Sequence, residues 1–121
     1  MLVDTDILID YLRSRVEAAA FIERNVDDIS ISSMTVAELY QGVRDGDEML
    51  ALNSLVSVFT VLPITEVIAI QAGLFRRDYK KSHGSGLADC FIAATAQVHE
   101  LDLKTLNTKH YPMISRAEKP Y

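Results

Sequence analysis

Three acidic residues, Asp4, Glu38 and Asp89, stand where a small fold could bring carboxylates together. Each has an ordinary reading. Asp4 can cap the helix that follows it. Glu38 completes a capping-box pattern with Thr35, in which the carboxylate bonds back to a backbone amide. Asp89, in the first turn of a helix, gains from the helix dipole. Together these readings weaken. Asp89 is flanked by Leu87, Ala88, Cys90, Phe91 and Ile92, and an ionised group there needs compensation. Three carboxylates within about 5 Å of one another would repel by roughly 3 kcal/mol per pair at an effective dielectric of about 20. Protonation or a cation relieves that repulsion. Carboxylate oxygens favour the hard, partly hydrated ions Mg²⁺ and Mn²⁺. Such an ion can hold a phosphate oxygen and generate or orient a nucleophilic water, so the chemistry implied is hydrolysis of a phosphodiester.

Those carboxylates need elements that converge. Residues 1–4 read as a short buried strand ending at Asp4. Residues 28–32 alternate polar and β-branched residues, 60–64 form a β-rich run that Pro63 puts at an edge or end, and 101–106 alternate again. Helical patterns cover 6–13, 16–24, 35–44, 47–57, 65–81 and 87–98. In the helix over 65–81, Val67, Ile70, Leu74 and Phe75 mark one apolar face. The segment 87–98 is apolar nearly all round, which predicts a buried helix. A last extended piece is expected near Met113. The breaks fall around Gly46, Pro63 and Gly84 to Gly86, the last reading as a flexible loop on the substrate side. Short strands separated by helices imply parallel crossovers and an α/β sandwich. Ligands in such sheets sit outside the carboxyl ends of the strands. Asp4 ends the first strand, Glu38 follows the second closely, and Asn107 follows the strand at 101–106.

Length and composition bound the rest. At 121 residues the chain is expected to be one domain, and 49% hydrophobic with 24% charged residues is globular composition. The single cysteine, Cys90, excludes an internal disulfide and reads as a small core residue. No apolar stretch approaches the roughly 18 residues a bilayer requires, and MLVDTD shows no basic leader, so a cytoplasmic protein without membrane contact is expected. The net charge of −5 argues against sequence-independent nucleic-acid binding. The charge is uneven, −7 over residues 1–60 and +2 over 61–121, which could suit a site that holds cations and receives an anion.

The stretches LVDTDILIDYL, SSMTVAELYQGV, LADCFIAATA and LKTLNTKHYP, in that order, resemble the motifs of PIN-domain ribonucleases, and within that group the VapC toxins of bacterial toxin–antitoxin pairs. The resemblance covers nearly the whole chain. It implies a three-layer, PIN-like sandwich with a short, mainly parallel central sheet. It implies a Mg²⁺- or Mn²⁺-dependent endoribonuclease, with metal-ligand roles for Asp4, Glu38 and Asp89. It also implies an RNA substrate, a homodimer, and a VapB-type antitoxin that covers the acidic crevice. Two departures stand out. The family often has a fourth acid where this chain has Asn107, so a second ion would be held weakly if at all. Asp6 stands where the family commonly has Asn. It is either an outer-shell ligand or, the expectation here, the N-cap of a helix beginning at Ile7, and Thr5 offers a hydroxyl at the same place.

Other signals are weaker. Lys109 and His110, just after Asn107, are candidates for phosphate contacts. Arg76 over Lys80 and Arg77 over Lys81 place like charges one turn apart; an RNA backbone would relieve that repulsion, but the reading favoured is a solvated helix end with cations near its C-terminus. His83, His99 and His110 are too scattered for a zinc pattern. Two other readings remain open. The opening MLVDTD resembles the nucleophile motif of haloacid-dehalogenase-type phosphatases, in which Asp4 would be phosphorylated and Asp6 would act as acid/base. A non-catalytic binding module is the other, motivated by Asn107.

Overall fold

The computed structural model describes residues 1–79 and 85–121. The chain begins with strand β1 (Leu2–Val3), then helices α1 (Thr5–Leu12) and α2 (Val16–Asn25). Strand β2 (Ser30–Ser32) leads into α3 (Ser33–Gln41) and α4 (Asp47–Ser57). Strand β3 (Thr60–Leu62) precedes α5 (Glu66–Tyr79) and α6 (Leu87–Val98), and strands β4 (Leu103–Lys104) and β5 (Ala117–Glu118) finish the sheet. The five strands lie in the order β3-β2-β1-β4-β5, every pairing parallel. All carboxyl ends therefore face the same way, and β1, which carries Asp4, is central.

Adjacent strand residues point to opposite faces, and that alternation builds two cores from one sheet. Leu2 and Leu103 face α5 and α6, packing with Ile68, Ala72, Phe75 and Ala93. Val3 and Ile31 face α1 to α4, packing with Ile7, Leu8, Phe21 and Leu52. Three layers result, as expected.

Three local expectations need correction. The helix over 66–79 buries Ile68, Ala72 and Phe75, while Val67 (62%), Ile70 (57%) and Leu74 (39%) are exposed. Only Phe75 of the expected face is inside. The neighbouring α6 is lined with small residues, Cys90, Ala93, Ala94 and Ala96, and α5 settles on it through the adjacent stripe. The last strand lies at Ala117–Glu118; Met113 falls in a turn after Pro112, which has no N–H to give a ladder. The strand expected over 101–106 is only Leu103–Lys104, because Thr105 and Leu106 turn toward the acidic crevice. The expectations for Lys80, Lys81, His83 and Gly84 lie outside the described residues.

Candidate active site

Asp4 and Glu38 reach the carboxyl edge because two strands run straight into helices. Asp4 is the N-cap of α1, its backbone extended and its Oδ1 accepting the Thr5 N–H at 2.8 Å. Its own N–H bonds the Lys104 carbonyl at 2.9 Å, prolonging the β1–β4 ladder by one residue. The capping and site readings of Asp4 are therefore compatible. Ser32 does the same for α3, its Oγ accepting the Met34 N–H at 3.0 Å. With Ser32 as cap, Glu38 lies beyond the first turn of α3. Its carboxylate turns to the Thr5 hydroxyl at 2.7 Å and makes no capping box with Thr35. Thr35 is instead buried, its hydroxyl 3.1 Å from that of Thr5. Asp89 is the third residue of α6, where it accepts the Gly86 N–H at 3.4 Å.

Asp6 does not cap a helix. The helix has already begun at Thr5, and the Asp6 carboxylate reaches across to the stretch after β4. Its Oδ2 accepts the Leu106 N–H at 2.9 Å and lies 3.3 Å from the Thr105 hydroxyl. Its Oδ1 is buried and has no hydrogen-bond partner among the described residues.

Two hydroxyls knit the acids together, and sequence reasoning missed both. Thr105 donates to Asp4 Oδ2 at 2.8 Å. The Tyr111 hydroxyl stands 2.8 Å from that same oxygen and 3.2 Å from Asp89 Oδ1. Both residues are fully buried and lie more than a hundred positions from Asp4, so they look like core in the sequence. Proton counting is informative here. A hydroxyl has one proton to donate. Thr105 cannot satisfy Asp4 and Asp6 together, nor Tyr111 both Asp4 and Asp89. With every carboxyl ionised, lone pairs would face negative oxygens at two places.

The titration behaviour agrees. Burial, with a smaller contribution from the charge of Asp89, pushes Asp4 up against the pull of its hydrogen bonds. Burial and then the charge of Asp4 push Asp6 up to about 7. Glu38 is also raised, by burial and then by Asp4 and Asp89. Tyr111 is pushed well above the ordinary tyrosine value by burial and by the two carboxylates, so it stays a proton donor. Asp4 thus feels the charge of Asp89, and Glu38 that of both. Asp4 and Asp89 meet at the Tyr111 hydroxyl, and Glu38 joins through Thr5, which gives its hydroxyl to Glu38 and its backbone N–H to Asp4, rather than edge to edge. Among the described residues, no three carboxyl, imidazole or thiol groups stand close enough to enclose an ion as arranged. The donor chemistry nevertheless fits a hard divalent cation. The donors are carboxylate oxygens under like-charge stress, Glu38 Oε2 accepts no hydrogen bond from a described residue, and Asp6 Oδ1 is orphaned.

The rim comes from the segment after β4. Asn107 Nδ2 lies 3.0 and 3.2 Å from the two ring nitrogens of His110, and His110 Nδ1 lies 3.2 Å from Asp89 Oδ2. Asn107 and His110 therefore belong to the acidic constellation, and Lys109, in the same 3-10 turn as His110, is exposed. Of the basic pairs at the end of α5, Arg76 and Arg77 are among the described residues. Arg77 is taken by Asp78 at 2.8 Å, and Arg76 is half-buried. Cys90 is fully buried, and burial raises its thiol, as a core residue requires. Beside Glu38 an open groove of about 570 Å³ runs between α1, α3 and α4, lined by Ile9, Leu12, Leu39 and Val43 with Arg13, Arg44 and Glu48.

Residues 1–113 match the PIN domain family. The chain belongs to that family. Over its whole length it is 42% identical to Ribonuclease VapC10 of Mycobacterium tuberculosis, of which the match covers 92%. It is 38% identical to Ribonuclease VapC19 of the same organism, over 99% of this chain and 98% of that protein. Among solved structures, a toxin–antitoxin complex from Klebsiella pneumoniae superposes with a TM-score of 0.85 at 34% identity, covering 99% of this chain and 97% of the other. FitAcB from Neisseria gonorrhoeae gives 0.78 at 29% identity, over 98% and 96%. In this PIN domain Asp4 follows β1 directly, Glu38 lies in the helix after β2, and Asp89 lies in the first turn of α6. Family membership takes the place of the phosphatase reading. The geometry agrees, since Asp4 has both oxygens held by hydrogen bonds and is no free nucleophile.

Proposed function

We propose that this PIN-domain protein is a divalent-metal-dependent endoribonuclease and the toxin of a toxin–antitoxin pair. The observation that carries the reading is the crowding of Asp4, Glu38 and Asp89, from three elements, into one crevice where Asp4 and Glu38 are held above their ordinary range and Asp4 and Asp89 face the single proton of Tyr111. The relatives named as ribonucleases support the substrate class.

Asp4, Glu38 and Asp89 would hold the ion, Mg²⁺ or Mn²⁺. When bound, it supplies charge neutralisation and Lewis-acid polarisation of phosphate and water oxygens. The chain's own groups do the rest. Thr105 and Tyr111 fix Asp4 Oδ2, and Thr5 fixes Glu38, so the carboxylates face the crevice in set orientations. Asp6 ties α1 to Leu106 as an outer support. Lys109, exposed on the rim, supplies a positive charge for the RNA backbone, and Asn107 and His110 line the approach. Asn107 adds no charge, which favours a single ion. The apolar groove beside Glu38 suits a segment of a VapB-type antitoxin, as the toxin–antitoxin complexes among the structural neighbours suggest, and a homodimer is expected.

Cleavage of RNA by purified parent, Asp4→Asn and Asp89→Asn proteins in Mn²⁺ tests the reading. The parent should cut and both variants should not, with their folds intact. An Asp89→Asn protein as active as the parent would sink it. A parent that neither binds Mn²⁺ nor cleaves RNA would favour the non-catalytic module.

A further inference from the structure

One short stretch of chain supplies nearly all the side-chain partners of Asp4 and Asp89. Thr105, His110 and Tyr111 reach them from residues 105–111, between β4 and β5. That stretch has little regular structure of its own, a single 3-10 turn at Thr108–His110. Its position against the two helices must come from elsewhere. Asp6 holds the near end by accepting the Leu106 N–H at 2.9 Å. The far end is held by a residue with no role so far. Ser85, in the turn before α6, donates its hydroxyl to the His110 carbonyl. Ser85 is 2% exposed, so its hydroxyl has little water to turn to, and losing it would take this partner from the His110 carbonyl.

The placement is pointed. The His110 carbonyl belongs to the peptide that joins His110 to Tyr111, the two side chains that meet Asp89. Ser85 lies four residues before Asp89, at the entry to α6. Fixing that peptide plane to the start of α6 sets where the Tyr111 hydroxyl and the His110 ring stand relative to the Asp89 carboxylate. We propose that Ser85 is a positioning residue for the acidic crevice, acting through the His110 carbonyl to hold Tyr111 and His110 against Asp89. This rests on the nuclease reading above for its effect on catalysis, but not for its effect on the chain.

The test uses the full chain and three measurements. The first is amide hydrogen exchange of the metal-free protein. Ser85→Ala should speed exchange over residues 105–111 about fivefold, the scale of one lost hydrogen bond, with the body of α6 still protected. The second is calorimetric titration with Mn²⁺, where Ser85→Ala should weaken binding about tenfold, as loss of an outer support typically does. The third is steady-state RNA cleavage, where kcat should fall about as far with KM for RNA within about twofold. Ser85→Thr, which keeps the hydroxyl, should recover most of each. If alanine does not fold, Ser85→Cys, close in size with a weaker donor, should shift each measurement the same way by less. Unchanged exchange over 105–111, or a lower melting temperature with unchanged Mn²⁺ affinity and kcat, would overturn the inference. Faster exchange in a protein whose parent binds no Mn²⁺ and cuts no RNA would overturn the nuclease reading and leave the Ser85 hold standing.

Discussion

Acids on the outer surface of this protein and acids in its crevice live under opposite rules. Outside, several have cations at hand. Glu48 meets Arg44 at 3.1 Å, Asp78 meets Arg77 at 2.8 Å, and Glu118 and Asp102 pair with Lys104 and Arg116. The backbone N–H and guanidinium of Arg44 hold Glu48 below its ordinary value, and Arg77 does the same for Asp78. In the crevice, Asp4, Asp6 and Glu38 have no Lys, Arg or His ion-pair partner among the described residues, and all three are pushed up. Arg15, Arg44, Arg77, Lys104 and Arg116 all pair with acids outside the crevice. A fold selected for stability alone would not keep buried carboxylates facing one another through shared hydroxyl protons. The contrast points to a charge supplied from outside.

The sharpest way to break that contrast is to remove one crevice charge. Asp4→Asn or Asp89→Asn should lower RNA cleavage by about three orders of magnitude, the scale of a few kcal/mol of lost charge stabilisation, in a standard gel assay. Glu38→Gln should follow closely.

Next comes the pH response of the metal-free protein. Asp6 is raised to about 7 from an ordinary value of 3.8, so in that window the folded state holds a proton that the unfolded state has released. Folding stability therefore falls as pH rises from about 4 to about 7, and levels off above that. Asp4 and Glu38 shift in the same direction and add to the slope. Differential scanning fluorimetry should show a melting temperature roughly 5 °C lower at pH 8 than at pH 5. Millimolar Mg²⁺ should shrink the gap, and Asp6→Asn should flatten it. A melting temperature that rises across this window would contradict the assignment.

A smaller effect is expected at Tyr111. Tyr111→Phe removes the hydroxyl between Asp4 and Asp89, which should cost about 1–3 kcal/mol in urea unfolding without metal. Saturating Mn²⁺ should offset much of that loss, because the ion then answers the same repulsion. Arg44→Ala, at an exposed pair, should leave the melting temperature unchanged within error.

Much of this was legible from the residues. The apolar run ending in Asp4 and the alternation at 28–32 dictate short strands followed closely by helices, and a parallel sheet then gathers Asp4 and Glu38 at one edge, although the cap of α3 is Ser32 and not Thr35. Other parts were not. The DTD opening offers two caps two residues apart. Which one caps depends on how far the β1–β4 ladder runs, a tertiary fact that the Asp4 N–H to Lys104 bond settles. Along α5 the hydrophobic period is real, but α6 selects which neighbouring stripe is buried, and α6 lies beyond any local window. Thr105 and Tyr111 carry no polar signature in the sequence, since a threonine in an alternating run and a tyrosine before a proline read as core. The one available signal was that a fully buried Tyr needs a partner for its hydroxyl, and the buried acids were the partners on offer.

The most direct test is a crystal structure of the chain soaked in Mn²⁺, with diffraction collected to record the anomalous signal of the ion. An anomalous peak bounded by oxygens of Asp4, Glu38 and Asp89, with the Tyr111 hydroxyl displaced from its bridge between two of them, is the predicted result. A peak elsewhere, or none while those carboxylates keep their present hydrogen bonds, would contradict it.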